Sequence, residues 1–285
     1  MVIWIWLAGL VLALGTGYLW WSWRPPDKGA STPSLPLFEE RNHKEISPPS
    51  KPKPLSRRSY PQENGLPMVA IVIDDLGYQK QLAVDFIEVD APLTLSFLPQ
   101  APFAGELVRQ ADQKGKETLL HLPMEPKEFP QVNPGPKALL TSMSNEKIRN
   151  ILENDLEAFP QVAGVNNHMG SRFTEDRDKM TLVLATIKKR KLFFLDSRTT
   201  PYSAILPLAS QVGVKAIQRD IFLDNNIEVN AIRGQLELLI RVAQERGFAV
   251  ACGHPYPQTL QAIKEKMPDL QEKVHLVPLS KLLLN

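Results

Sequence analysis

From Met68 onward, short β-branched or apolar runs alternate with amphipathic stretches at helical spacing. That rhythm restricts the fold to a parallel sheet with helical crossovers, open or closed into a barrel. The strand candidates are 68–73, 93–97, 117–122, 163–167, 192–195, 214–218, 248–252 and 276–279. Between them, 103–114, 145–159, 176–189 and 235–246 carry apolar residues on one helical face, with Asn145 expected to cap the second helix and Gly247 to end the last.

The polar residues are placed unevenly on this framework. Asp74-Asp75, His121, Asn166-Asn167-His168, Asp196-Ser197, Asp220 and Gly253-His254 all fall at or just after the C-terminal end of a strand candidate. In a parallel α/β architecture those ends converge on one face, where the loops build the active site. His43 lies in a proline-rich stretch and His275 at the start of the last strand, so both read as surface residues.

Asp74 and Asp75 end an apparently buried run, Val69-Ala70-Ile71-Val72-Ile73. Successive strand residues point to opposite faces, so both carboxylates reach one site only if the chain turns out of the strand, and Leu76-Gly77-Tyr78 offers a glycine for that turn. One carboxylate could then ligate a metal while the other takes a proton from water; alternatively one caps a helix and the other faces solvent. His121, before the rigid Leu122-Pro123-Met124-Glu125-Pro126, is either a ligand or a hydrogen-bonded core residue. Glu125 is either an alternate oxygen ligand or a solvent-exposed acid. The run from Asn166 to Arg172 packs amides, an imidazole, a hydroxyl and a guanidinium into seven positions, suited to a sugar-like ligand or to an Asn-rich turn. Asn166, Asn167, Ser171, Arg172 and Asp196 are therefore the candidate substrate-binding groups. His254, in Cys252-Gly253-His254-Pro255, could protonate a leaving group or be structural, and Asp196 and Asp224 could orient an imidazole.

The remaining sequence splits into two further regions. Residues 1–23 carry no charged side chain, and Trp4, Trp6, Trp20, Trp21 and Trp23 cluster near the ends of the apolar stretch. About 20 apolar residues suffice to cross a bilayer as a helix, so a transmembrane anchor is expected in preference to a cleaved signal. Residues 24–66 are rich in Pro, Ser, Lys and Arg and read as a disordered spacer, leaving 67–285 as the folded domain. Arg24, Lys28, Arg41 and Lys44 follow the apolar stretch, a bias that by itself would place the domain in the cytoplasm.

Several chemistries drop out. A formal net charge of +2 calls for no nucleic-acid partner. Cys252, the only cysteine, excludes a disulfide within the chain and a cysteine-built zinc cluster, and its apolar neighbours make it a core thiol. No glycine-rich phosphate loop and no Gly-x-Ser-x-Gly elbow is present.

Taken in order, Val72-Ile73-Asp74-Asp75-Leu76-Gly77, Leu120-His121-Leu122-Pro123-Met124, Gly164-Val165-Asn166-Asn167-His168-Met169-Gly170-Ser171, Phe194-Leu195-Asp196-Ser197 and Gly253-His254-Pro255 resemble the divergent polysaccharide deacetylases. The resemblance runs from about Pro67 to the C-terminus. It implies an α/β NodB-like fold, a distorted (β/α) barrel usually counted as seven-stranded, in a bacterial envelope protein. It casts Asp74 as catalytic base and Asp75 as a ligand of a divalent metal, zinc first among the candidates. His121 matches the first histidine of a His-x-x-x-His motif, but Glu125 stands where the second belongs, so His168 is expected to complete the ligand set. His254 matches the general acid. The implied reaction removes an acetyl group from a sugar amide or ester: Asp74 takes a proton from water, and His254 delivers one to the leaving group. A carbohydrate polymer or oligosaccharide is the expected partner, and it places the domain outside the cytoplasmic membrane, against the charge bias. The alternatives are a non-catalytic envelope protein that binds glycan or a protein in the same cleft, motivated by Glu125, and a hydrolase of a non-sugar amide.

Overall fold

The computed structural model describes residues 65–283. The expected anchor, His43 and all but the last two residues of the expected spacer lie outside the described residues, among which no helix is long and apolar enough to cross a membrane. The chain runs β1 (Met68–Leu76), α1 (Lys80–Ile87), β2 (Thr94–Phe97), α2 (Ala104–Gln113), β3 (Glu117–Met124), α3 (Asn145–Ala158), β4 (Gly164–Met169), α4 (Arg177–Lys189) and β5 (Phe193–Asp196). It continues through α5 (Ile205–Val212), β6 (Ala216–Gln218), β7 (Ile221–Phe222), α6 (Val229–Arg246), β8 (Phe248–Gly253), α7 (Pro257–Lys273), β9 (His275–Leu276) and a closing 3-10 turn, Leu279–Leu283.

The strands form one parallel sheet in the order β6-β5-β4-β3-β2-β1-β8-β7, with β9 added beside β1. Only Arg219 and Asp220 separate the two edge strands, β6 and β7, in the chain. The Arg219 amide donates to the Asp196 carbonyl (3.0 Å) and the Asp220 amide to the Val250 carbonyl (2.9 Å), so two residues step from one edge to the other. A flat sheet forbids such a step; this one is curled into a half-barrel.

Alternation along the strands gives the sheet two apolar faces. Val69, Ile71, Ile73, Leu120, Leu122, Val165 and Phe194 pack with the helices, while Ala70, Val72, Leu119, Leu195, Val250 and Cys252 form a separate cluster with Leu279 and Leu282 of the closing turn. The second face is the inside of the curl. Cys252 is a buried free thiol within it.

Helix ends follow local chemistry. Gly247 ends α6 in the left-handed region (φ +88°), as its sequence suggests, because it lacks a Cβ. The cap of α3 is Ser144 rather than Asn145: the Ser144 hydroxyl accepts from the Lys147 amide at 3.2 Å. Three helices, α1, α5 and α7, go beyond those expected from periodicity. The last of these contains Pro268, which is exposed together with Lys264, so the carbonyl it deprives of a partner faces water.

Asp220 secures the step between edges with its side chain, whose Oδ2 accepts from the Val250 amide at 2.9 Å while Oδ1 pairs with the Arg246 guanidinium. Replacing it, Asp220→Ala, strands a buried amide and is expected to lower unfolding free energy by about 1–3 kcal/mol, measured by urea denaturation.

Candidate metal centre

Asp74 and Asp75 reach the same place through a break in the strand. The β1–β2 register shifts between Ile73 and Leu76, and Asp75 takes φ +56°, a conformation that aspartate tolerates better than most residues. A bulge at the acids themselves turns both carboxylates inward; the strand continues to Leu76, before Gly77. Both side chains are about 1% exposed.

His121 enters from β3 and His168 from β4, at positions whose strand neighbours two residues back face the inside of the curl. Asp75 Oδ1 lies 3.0 Å from His121 Nε2 and 2.8 Å from His168 Nδ1. The two rings meet edge to face, with centroids 5.1 Å apart. These contacts lack hydrogen-bond alignment, so both Asp75 oxygens and both His168 ring nitrogens are buried without a hydrogen-bond partner. Burial by itself would raise the Asp75 carboxyl, but the His168 and His121 imidazoles hold it well below the usual carboxylate range.

Asn166 fixes the orientation of this group. Its Nδ2 donates to Asp74 Oδ1 at 2.8 Å, which leaves Oδ1 to accept from the Ser96 hydroxyl and from His121 Nδ1, 2.9 Å away. A carboxylate only accepts, so Asp74 dictates the amide's direction, and the amide in turn dictates that His121 carries its proton on Nδ1. In the neutral ring the Nε2 lone pair then faces the Asp75 carboxylate, 3.0 Å away, and a cation between the two would satisfy both. One carboxylate and two imidazoles, with donor atoms all within 4.8 Å of one another, suit a divalent metal and leave a coordination position open.

His254, from the end of β8, approaches from the other side. Its Nε2 lies 3.9 Å from Asp75 Oδ2, and its Nδ1 lies 2.9 Å from Asp224 Oδ1. Asp224 Oδ2 accepts from the His254 amide (2.6 Å) and the Thr259 hydroxyl (2.7 Å), so the carboxylate is locked. Burial opposes a charged imidazole, yet the Asp224 carboxylate, aided by Asp75 and Asp74, outweighs it and pushes His254 up to about 10.

The structure thus gathers Asp74, Asp75, His121, Asn166, His168 and His254. The other sequence candidates lie apart from the metal-ligand atoms. Asn167 has the opposite strand parity: its oxygen accepts from the Ser197 amide (3.0 Å) and its amide donates to the Met169 carbonyl, tying β4 to β5. Asp196 shares that parity and accepts from the Arg198 amide at 2.8 Å; burial raises its carboxyl. Ser171 accepts from the Lys127 amide, and the half-exposed Arg172 donates to the Lys127 carbonyl.

Glu125 is neither an oxygen ligand of this group nor a solvent-exposed acid. It is 6% exposed, and its Oε2 accepts from the Thr141 amide (2.6 Å) and hydroxyl (2.7 Å). Its own amide donates to Leu139, and its carbonyl accepts from Arg172 and Phe173. It latches the long β3–α3 loop to the end of β4. Ser96 and Thr141 stand in no motif of the sequence, and only the inward parity of Ser96, two residues after Thr94 in β2, could have singled one out; Ser197 follows Asp196 in a strand-end motif.

The chain matches the family model of the divergent polysaccharide deacetylases over residues 71–283. An uncharacterized protein of Haemophilus influenzae is 32% identical over 217 residues, spanning 76% of this chain and 77% of that protein. The uncharacterized protein YibQ of Escherichia coli is 33% identical over 215 residues, 75% of this chain and 67% of its own. The crystal structure of the uncharacterized protein ATU2773 from Agrobacterium tumefaciens superposes with a TM-score of 0.73 at 26% identity, covering 78% of this chain and 92% of that one. T48 deacetylase with substrate gives a TM-score of 0.50 at 13% identity, with 76% and 90% covered, a likeness of fold.

Asparagine accepts the left-handed backbone of position 75, so Asp75→Asn is expected to fold while losing bound metal by elemental analysis, as is His168→Ala. Glu125→Ala should retain wild-type metal content and lose about 0.5–1.5 kcal/mol of stability, because it removes the acceptor of the half-buried Thr141 amide and hydroxyl.

Proposed function

This chain belongs to the divergent polysaccharide deacetylase family, and on that premise we propose that it is a metal-dependent deacetylase acting on an acetylated envelope polysaccharide. The observation that carries the reading is the buried convergence of Asp75, His121 and His168, flanked by a carboxylate and an imidazole that are not needed as ligands.

A divalent cation held by those three residues, zinc first among the candidates, would supply Lewis acidity toward an acyl carbonyl and toward water. Asp74 accepts the proton of the attacking water. Its Oδ1 is already engaged by Asn166 Nδ2, which fixes the carboxylate plane and leaves Oδ2 to act as base. His254 donates to the departing nitrogen or oxygen. Asp224 holds Nδ1, so Nε2 is the nitrogen that points to the cluster, and the raised pKa keeps it protonated at neutral pH. General acid–base groups of this kind each contribute on the order of 10²–10⁴ in rate. Glu125, which motivated the reading of a cleft kept only for binding, weighs less against catalysis because His168 offers a third donor while Glu125 serves the loop.

Residues 2–23 support tethering to the cytoplasmic membrane, and the envelope polymer, against the charges that follow the apolar stretch, favours the outer side for the domain. A C-terminal reporter active only outside the cytoplasm should report activity; activity of a cytoplasm-only reporter would remove the envelope substrate.

Asp74→Asn is expected to fold and bind metal but to release acetate about 10²–10⁴ times more slowly from an acetylated oligosaccharide. Wild-type turnover there would sink the assignment of the base. The protonated form of His254 is the active acid, and the Asp224 carboxylate that raises it should keep the rate up on the alkaline side beyond the range of an ordinary imidazole. Asp224→Asn removes the largest of the raising influences and should move that limb toward neutrality in a pH–rate profile. By linkage, a histidine raised from about 6.5 stabilises the fold, fully below that pH and not at all once pH has climbed past about 10.

A further inference from the structure

Among the described residues, two large apolar side chains stand exposed: Tyr202 at 74% and Phe103 at 37%. Single exposed apolar residues are ordinary on protein surfaces, and neither would mean much alone. Their placement and their surroundings set them apart.

Both rings sit on the rim that carries the metal centre. Phe103 ends the loop after β2, and its amide donates to the carbonyl of Gly77, two residues past Asp75 (3.0 Å). Tyr202 lies in the loop after β5, five residues past Ser197, whose hydroxyl accepts from Asn166 at 3.3 Å. In the sheet order β3 and β4, which carry His121 and His168, lie between them.

The two rings are also mounted alike. Lys80 Nζ stands 5.8 Å from the Phe103 ring centroid and pairs with Glu106 at 2.7 Å. Lys127 Nζ stands 5.5 Å from the Tyr202 centroid and pairs with Glu175 at 2.6 Å, which also accepts from the Thr200 hydroxyl. Each ammonium covers one side of a ring by a cation–π contact, and each glutamate holds the ammonium there. A ring braced in this way surrenders little freedom when something stacks on its other side. Because lysine and glutamate cancel, the mounts offer no net charge, and what remains is an apolar plane. That plane matches the C–H face of an uncharged pyranose.

We infer that Tyr202 and Phe103 are sugar-stacking platforms on either side of the metal centre, so that the substrate is a chain of several uncharged pyranose units rather than a single acetylated sugar. This rests on the deacetylase reading and narrows its substrate class. The strands that lead into the two loops, β2 and β5, stand three strand spacings apart, roughly 14 Å, so one sugar stacks on one ring and only a chain laid across the mouth reaches both.

The test is calorimetric titration of the full-length protein, stripped of metal with EDTA so that nothing turns over, with N-acetylglucosamine and its β-1,4-linked trimer and pentamer. Affinity is expected to rise at least about tenfold from monomer to pentamer. Tyr202→Ala and Phe103→Ala should each flatten that rise; both are surface changes that leave folding intact. Equal affinity at every length, no binding of any oligomer, or a wild-type length dependence in both variants would overturn the inference. Acetate release by metal-loaded wild-type protein is read separately: none from any of the three sugars, with the length dependence intact, would count against the hydrolase and leave the platforms standing.

Discussion

Two neighbouring aspartates at the end of a buried strand cannot serve one site while the strand keeps its alternation. The register break at Asp75 resolves this, and the rest of the site is arranged around its result. With Asp75 in the left-handed region, its carboxylate turns to the same side as that of Asp74, toward the inside of the curl. Without the break, one acid would face the helices and only one carboxylate would reach the cluster. The bulge also spends backbone regularity where little is lost, since β1 is flanked by β2 and β8 along most of its length and is anchored there by six consecutive residue pairs with β8.

From the two acids, a sequence of orientations spreads outward without ambiguity. Asp74 can only accept, so Asn166 presents its amide to it; the Asn166 oxygen then requires a proton on His121 Nδ1, and His121 Nε2 is left to face Asp75. Asp224 does the same for His254, holding Nδ1 so that Nε2 is directed inward. Both histidines are thus set by a partner behind them, and the difference in that partner separates their roles. The partner behind His121 is a neutral amide, which takes one ring proton and adds no charge. A carboxylate behind His254 pushes it up to about 10 and makes it a reservoir of one proton.

Much of this was legible in the sequence because it depends on periodicity. The strand ends at His121, His168 and His254 could be located from apolar runs, and parallel topology then brings them together. What periodicity could not deliver was parity at the ends of strands. Asn166 and Asn167 are adjacent and chemically identical, yet one faces the cluster and the other ties β4 to β5; only the register of a finished sheet distinguishes them. Asp196 fell to the same ambiguity. The two-residue β7 was too short to leave a pattern, and the bulge at Asp75 was mistaken for a glycine turn because no residue preference marks a bulge as strongly as Gly marks a turn.

Glu125 stands beside the centre without joining it. At the end of β3, its carboxylate is directed to Thr141, away from the three donor atoms that gather around Asp75. The third donor comes instead from the adjoining strand, where His168 is paired in register with Pro123, two residues past His121. The end of β3 holds the loop between β3 and α3, through Glu125 on Thr141 and through its backbone on Leu139, Arg172 and Phe173. The same loop carries Lys127, which braces Tyr202. Residues 123–127 therefore join the strand that carries His121 to the lysine that braces Tyr202, so the centre and its rim share one stretch of backbone.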